Sequence, residues 1–160
     1  MTAGGSSLPE VQRLLAVLAA GRRCAETGTA FGEGAVAIAS TAESLVTVEH
    51  DAERAAVARE RLRGHGHVEL HVGDWRDVLP QRAPFDFLFF DAGLIYESPE
   101  VVDLLAPGGL LLKDDMTPGR AIEGDPVREF LFWHPQLAAV EIVTTREASA
   151  ILAAKLSRGS

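Results

Sequence analysis

AETGTAFGEGA, residues 25–35, brings Gly28, Gly32 and Gly34 together in one short stretch, with Glu26 just ahead of them. The stretch is entered from Arg22, Arg23 and Cys24 and runs into the apolar AVAIAS. Glycines tolerate positive φ and let a ligand or a second backbone come close. Such a loop serves as a plain turn, a phosphate cradle or a nucleoside pocket, and its neighbours decide among the three.

The segments on either side alternate between strand and helix patterns. PEVQRLLAVLAA carries an early proline and leucines at helical spacing, and Gly21 ends it. A short strand around Arg23–Glu26 leads into the loop, and a helix of small residues spans Gly32–Ser40. LVTVEHD reads as a buried strand, DAERAAVARERLRGHG as a helix closed by Gly64, and HVELHVGDW as a third strand. RDVLPQRAP is a short helix or turn, and FDFLFFDAG is the most apolar strand of the chain. SPEVVDLLAPGG is expected to be a serine-capped helix stopped by glycine, with LLLKDD as the fifth strand. A helix through PVREFLFWHP precedes two closing strands, LAAVEIVTT and ASAILAAKL. The expectation is one α/β domain over residues 1–160, with the first eight residues disordered. Its core is a Rossmann-like, doubly wound, seven-stranded sheet, mostly parallel with an antiparallel C-terminal edge hairpin.

A sheet of this type binds ligands at the carboxyl ends of its strands. Those ends read Glu26, then Glu49, then Gly73, Asp74 and Trp75, then Asp91, then Asp114 and Asp115. A carboxylate about twenty residues past the glycine loop can accept both ribose hydroxyls. An aspartate beside an aromatic suits adenine, the acid taking the amine and the ring covering a face. So many acids in one place would repel a polyphosphate, and the ligand implied is a nucleoside. The loop itself reads E-x-G-x-x-x-G. The dinucleotide pattern G-x-G-x-x-G and the lysine-bearing phosphate loop are both absent.

At these residues the chain resembles the class I S-adenosylmethionine-dependent methyltransferases. AETGTAFG looks like their first motif, VEHD like their ribose-binding acid, GDW like their adenine-binding aspartate, and FDFLFFDA and PGGLLLKDD like the fourth- and fifth-strand motifs. The resemblance implies S-adenosylmethionine as cofactor. It assigns Glu26, Gly28, Thr29 and Gly32 to the methionine end and loop, Glu49 to the ribose and His50 beside the adenine. Asp74 and Trp75 fall to the adenine edge and face, and Asp91 joins the cofactor set. A rim of carboxylates also attracts the cationic sulfonium.

The nearest subgroup looks like the catechol and caffeoyl-CoA O-methyltransferases. Their divalent ion sits on an aspartate after the fourth strand and an Asp-Asn pair after the fifth. Asp91, Asp114 and Asp115 match those positions, with aspartate in place of asparagine, and hard oxygen ligands suit Mg2+ or Ca2+. Two departures stand out. Leu94 occupies the place of that subgroup's lysine, which leaves the catalytic base unassigned, and the N-terminal helical segment is short.

Composition bounds the rest. The chain has 160 residues, is 47% hydrophobic and 24% charged, and carries a net charge of −8, which argues against nucleic-acid partners. It has neither an apolar run long enough for a membrane span nor a secretory signal pattern, so a cytoplasmic protein without membrane partners is expected. Cys24 reads as a buried structural thiol, His65, His67 and His71 as a solvated edge, and Phe130, Phe132 and Trp133 as packing residues. The expected activity is methyl transfer to a small acceptor, through oxygen, in a homodimer that shields the pocket. A weakly catalytic cofactor-binding partner or sensor, and an NAD-linked oxidoreductase, are the alternatives.

Overall fold

The computed structural model describes residues 7–157. Strands β1 (Arg23–Thr27), β2 (Ser44–Glu49), β3 (Val68–Val72), β4 (Phe85–Phe90), β5 (Leu105–Met116), β6 (Leu137–Val143) and β7 (Ser149–Lys155) form one sheet. Its order is β3-β2-β1-β4-β5-β7-β6. The first five strands are mutually parallel, while β7 lies antiparallel between β5 and β6. The closing hairpin therefore sits at the sheet's edge, as the sequence predicts, with β6 outermost.

Helices α1 (Pro9–Ala19) and α2 (Glu33–Ala39) cover one face of the sheet, and α4 (Trp75–Val78) and α5 (Pro126–Trp133) the other. Helix α3 (Ala52–Arg61) packs beside β2 and β3. The centre is β4. Phe87 and Phe89 join the cluster under α1 and α2, and Phe85, Leu88 and Phe90 join the cluster on the opposite side. A strand buried on both faces has no polar side to show, which accounts for the unbroken apolar run. In α1 the buried Val11, Leu15 and Ala19 recur every four residues on one stripe. No helix among the described residues is long and apolar enough to cross a membrane.

Residues 1–6 of the expected disordered start lie outside the described residues. Ser7 and Leu8 are placed, the Ser7 carbonyl accepting a hydrogen bond from Gln12 Nε2 at 2.8 Å. SPEVVDLLAPGG is not a capped helix. It forms a 3-10 turn over Pro99–Leu104, and Ser98 makes no cap because its hydroxyl accepts from Arg76 Nη2 at 2.5 Å. The glycines fall inside β5: a Cβ on Gly109 would lie 2.8 Å from Ala106 O and 3.0 Å from Phe85 O. Glycine thus lets β5 cross closely against β4 where their register shifts, between Phe85 and Phe87.

Candidate active site

The sheet order reverses between β1 and β4, and their carboxyl ends frame a crevice. Gly28, at φ +80°, turns the chain out of β1, and its N–H donates to Val48 O at 2.8 Å. A Cβ there would sit 3.0 Å from that of Ala92, so the glycine lets the loops after β1 and β4 touch. Gly32, at φ +92°, starts α2 against Ala58 of α3, whose Cα would be 3.0 Å from an added Cβ. Gly34 answers a different need. A Cβ at Gly34 would lie 2.7 Å from Glu26 Oε1, so its absence makes room for a buried carboxyl.

Glu26 is buried at the tip of β1. Its Oε2 accepts from Thr47 Oγ1 at 2.6 Å, and Thr47 in turn shares a 2.5 Å hydrogen bond with Thr29. Burial drives the Glu26 pKa up to about 8, Thr47 opposes that rise, and the charges of Asp91, Glu49 and Asp114 add to it. Glu49, at the tip of β2, accepts from Ala30 N–H at 2.6 Å and Asp51 N–H at 2.9 Å. It therefore clamps the glycine loop to β2, and lone pairs on both carboxylate oxygens remain for a ligand.

Two cavities open along this edge. One, of about 210 Å³, is lined by Gly28, Glu49, His50, Asp74, Arg76 and Ala92 among others. The structure thus gathers five sequence-predicted cofactor residues, Gly28, Glu49, His50, Asp74 and Trp75, in one cleft, where Asp74 also caps α4 by accepting from Arg76 N–H at 2.9 Å. Trp75 touches the same cleft, but the residue is 5% exposed and its indole packs edge-on against Phe90 at 6.0 Å. The ring thus packs on the core while Trp75 still lines the cleft. Arg76 shares the cleft, its guanidinium 4.7 Å from the indole centroid. The sequence reading missed Arg76; its position directly after the aspartate–tryptophan pair was the available signal.

The second cavity, of about 330 Å³, is walled by Asp91, Asp114, Asp115, Glu147 and Ser149 together with Ser7, Leu8 and Val11 at the start of α1. Ligand oxygens of the three aspartates lie within 4.8 Å of one another. A regular strand would send Asp114 and Asp115 to opposite faces. Here β5 shifts register against β7 between Lys113 and Met116, and Asp115 adopts φ +62°, so both acids turn to one side. Burial, then the charge of Asp114, lifts the Asp91 pKa to about 8; burial also raises that of Asp114. Asp114 Oδ1 is buried without a hydrogen-bond donor among the described residues. Hard carboxylate oxygens, one of them orphaned, fit a divalent cation.

Thr27 sets the wall between the cavities. Its Oγ1 accepts from Asp91 N–H at 3.1 Å and Ala92 N–H at 3.2 Å, fixing the turn after β4. Asp91 faces one cavity while Ala92 and Gly93 line the other. Leu94 is 48% exposed beside this turn and carries no base.

Residues 25–116 match the family model described as a methyltransferase domain. The chain belongs to this methyltransferase family. A protein-L-isoaspartate O-methyltransferase from Brucella anthropi is 34% identical over 97 residues, covering 59% of this chain and 45% of the relative. One from Koribacter versatilis is 33% identical over 106 residues, covering 64% and 48%. The chain thus spans less than half the length of these curated relatives. Among solved structures, the O-methyltransferase TomG from Streptomyces achromogenes, in complex with S-adenosylmethionine, superposes with a TM-score of 0.75. It is 26% identical, with 97% of this chain and 83% of that one covered. An O-methyltransferase from Thermotoga maritima shares the fold at TM-score 0.78 and 18% identity, over 100% of this chain and 70% of that one. The class I methyltransferase fold read from the strand-end motifs is therefore the fold of this domain.

The remaining sequence readings resolve around the methyltransferase domain's periphery. Cys24 is buried, its thiol pushed up to about 12 by burial and by Asp86, as a structural cysteine should be. His67 Nε2 contacts Ala39 O at 2.8 Å, the His65 and His67 rings meet edge-on at 5.8 Å, and His71 pairs with Glu69; none of the three belongs to a candidate metal-holding group among the described residues. Phe130 and Phe132 pack on the core, while Trp133 is largely exposed. The sequence reading missed the 1%-exposed Arg128, which binds Asp125 at 2.5 Å, Glu141 at 2.6 Å and Thr117 O at 2.7 Å.

Proposed function

We propose that this domain transfers a methyl group from S-adenosylmethionine to a hydroxyl oxygen of a small acceptor. The observation that carries the reading is the shared wall of the two cavities, with Asp91 on one side and Ala92 and Gly93 on the other. A donor over Gly28, Glu49 and Asp74 and an acceptor beside Asp91 would meet across one short turn. Holding two reactants in contact is the largest part of what an in-line transfer requires.

S-adenosylmethionine, when bound, supplies an electrophilic methyl group on a cationic sulfonium. In this reading Glu49 accepts the ribose hydroxyls, Asp74 the adenine amine, and His50 lies beside the base. Gly28, Thr29 and Gly32 shape the loop that receives the methionine end. Glu26 and Asp91, whose protons are held up by burial, ionise against the incoming positive charge. Asp91, Asp114 and Asp115 would hold Mg2+ or Ca2+, which lowers the pKa of an acceptor hydroxyl.

A second reading, carboxyl methylation, is favoured by the isoaspartate O-methyltransferases among the relatives. It places an acidic acceptor against the walls formed by Asp91, Asp114 and Asp115, and so it stands behind the hydroxyl reading. A cofactor-binding sensor remains the reading if nothing is turned over, and Leu94 at the expected lysine position favours it. Calorimetry with S-adenosylhomocysteine, followed by turnover on catechols and on an isoaspartyl peptide with and without Mg2+, separates the three. A methylated catechol supports the proposal, a methylated peptide the second reading, and binding without turnover the sensor.

A further inference from the structure

We infer that the acceptor carries a positively charged group and that Glu147, on the β6–β7 turn, selects for it. The inference rests on reading the 330 Å³ cavity as the acceptor seat. Four carboxylates line that cavity, and no lysine, arginine or histidine is among its lining residues. The cation whose field Asp91 and Asp114 feel is Lys113, and it is turned away, its Nζ donating to the Asp114 main-chain carbonyl at 2.7 Å. A divalent ion on the three aspartates would cancel two of their charges and leave the wall negative.

Glu147 stands outside the aspartate cluster, on the turn between β6 and β7. It is exposed, as Asp115 is, and none of the ion pairs among the described residues includes any of the four acids. Its turn is braced: Thr144 and Thr145 N–H donate to Ala148 O at 3.0 and 3.1 Å, and Glu147 N–H donates to Thr145 Oγ1 at 3.2 Å. Two residues beyond Glu147, Ser149 Oγ donates to Glu141 Oε1 at 2.5 Å, and the buried Arg128 holds Glu141 in turn. The brace fixes the backbone that carries Glu147, so pairing with a ligand orders the side chain alone and not the turn. The same wall disfavours an anionic acceptor by like-charge repulsion.

The test uses three catechols alike in the diol and different in side-chain charge: dopamine, 4-methylcatechol and 3,4-dihydroxyphenylacetate. Binding to the full chain with S-adenosylhomocysteine and Mg2+ is measured by calorimetry, and methyl transfer is measured alongside. Dopamine is expected to bind at least about tenfold tighter than the acid. Glu147→Gln is expected to weaken dopamine and strengthen the acid, narrowing their ratio about fivefold. Shifts of opposite sign report charge, because a damaged cavity would weaken both. Equal binding of amine and acid, no binding of the amine, or a ratio untouched by Glu147→Gln would overturn the inference. Equal transfer to all three also overturns it while leaving the hydroxyl reading intact. Tight dopamine binding with no transfer to any diol does the reverse.

Discussion

The Glu26 carboxyl occupies the space that a side chain at residue 34 would need: a Cβ on Gly34 would lie 2.7 Å from Glu26 Oε1. Gly34 is followed by helical residues and needs no unusual backbone, so its role is to leave a void for an acid. Gly34→Ala is therefore expected to push the Glu26 side chain aside and cost about 1–3 kcal/mol of stability. The affinity for S-adenosylhomocysteine should fall about tenfold. Chemical denaturation and calorimetry on the same variant check both halves.

Glu26 also predicts a pH signature. Its folded pKa, about 8, lies above the ordinary 4.5, so the fold favours the protonated form. Stability from this group is complete below pH 4.5 and is lost as pH rises toward 8. Glu26→Gln keeps an acceptor for Thr47 and removes the titration. The variant should match the wild type near pH 4.5 and become progressively more stable than it up to about pH 8, by about 1.4 kcal/mol per pH unit at most. A gap independent of pH, seen in denaturant midpoints, would contradict this.

Asp114 has its pKa raised by burial, and one of its oxygens lacks a donor. Asp114→Asn should raise the melting temperature of the metal-free protein at pH 7.5 and abolish any further rise on adding Mg2+ or Ca2+. Wild-type protein should respond to the ions. Thermal melts with and without chelator test it.

Arg128 holds two acids whose pKa values it helps to lower, Asp125 and Glu141. Replacing it with Met leaves those carboxylates partly buried without their partner and should cost about 3–5 kcal/mol at neutral pH. Depressed carboxyls contribute stability above their unfolded pKa and lose it as pH falls through the folded value. The deficit of Arg128→Met should therefore shrink on acidification below the ordinary carboxylate range. Urea denaturation at several acidic pH values checks the trend.

What the sequence made legible was what local pattern determines. FDFLFF reads as the most apolar strand of the chain and proves buried on both faces, and VEHD and GDW fall at the ends of short strands closed by polar residues, while the final aspartates lie near the end of the twelve-residue β5. Side-chain destinations were less legible. Trp75 follows an aspartate as a stacking residue would, yet Phe90, fifteen positions on, draws it into the core. Ser98 reads as a cap until Arg76 takes its hydroxyl. Gly34 reads as one small residue of the Gly32–Ser40 helix, because the buried acid it makes room for lies eight residues back. Arg128 sits among aromatics in the sequence and among acids in the fold, and only the β6–β7 hairpin brings Glu141 to it.

The central claim is that Gly28, Glu49 and Asp74 form one adenosine seat. Calorimetric titration with S-adenosylhomocysteine tests it most directly, on wild type, Glu49→Gln and Asp74→Asn. The account predicts one site per chain, with affinity reduced about tenfold or more by Glu49→Gln and less by Asp74→Asn. Saturable binding that neither substitution changes would contradict it.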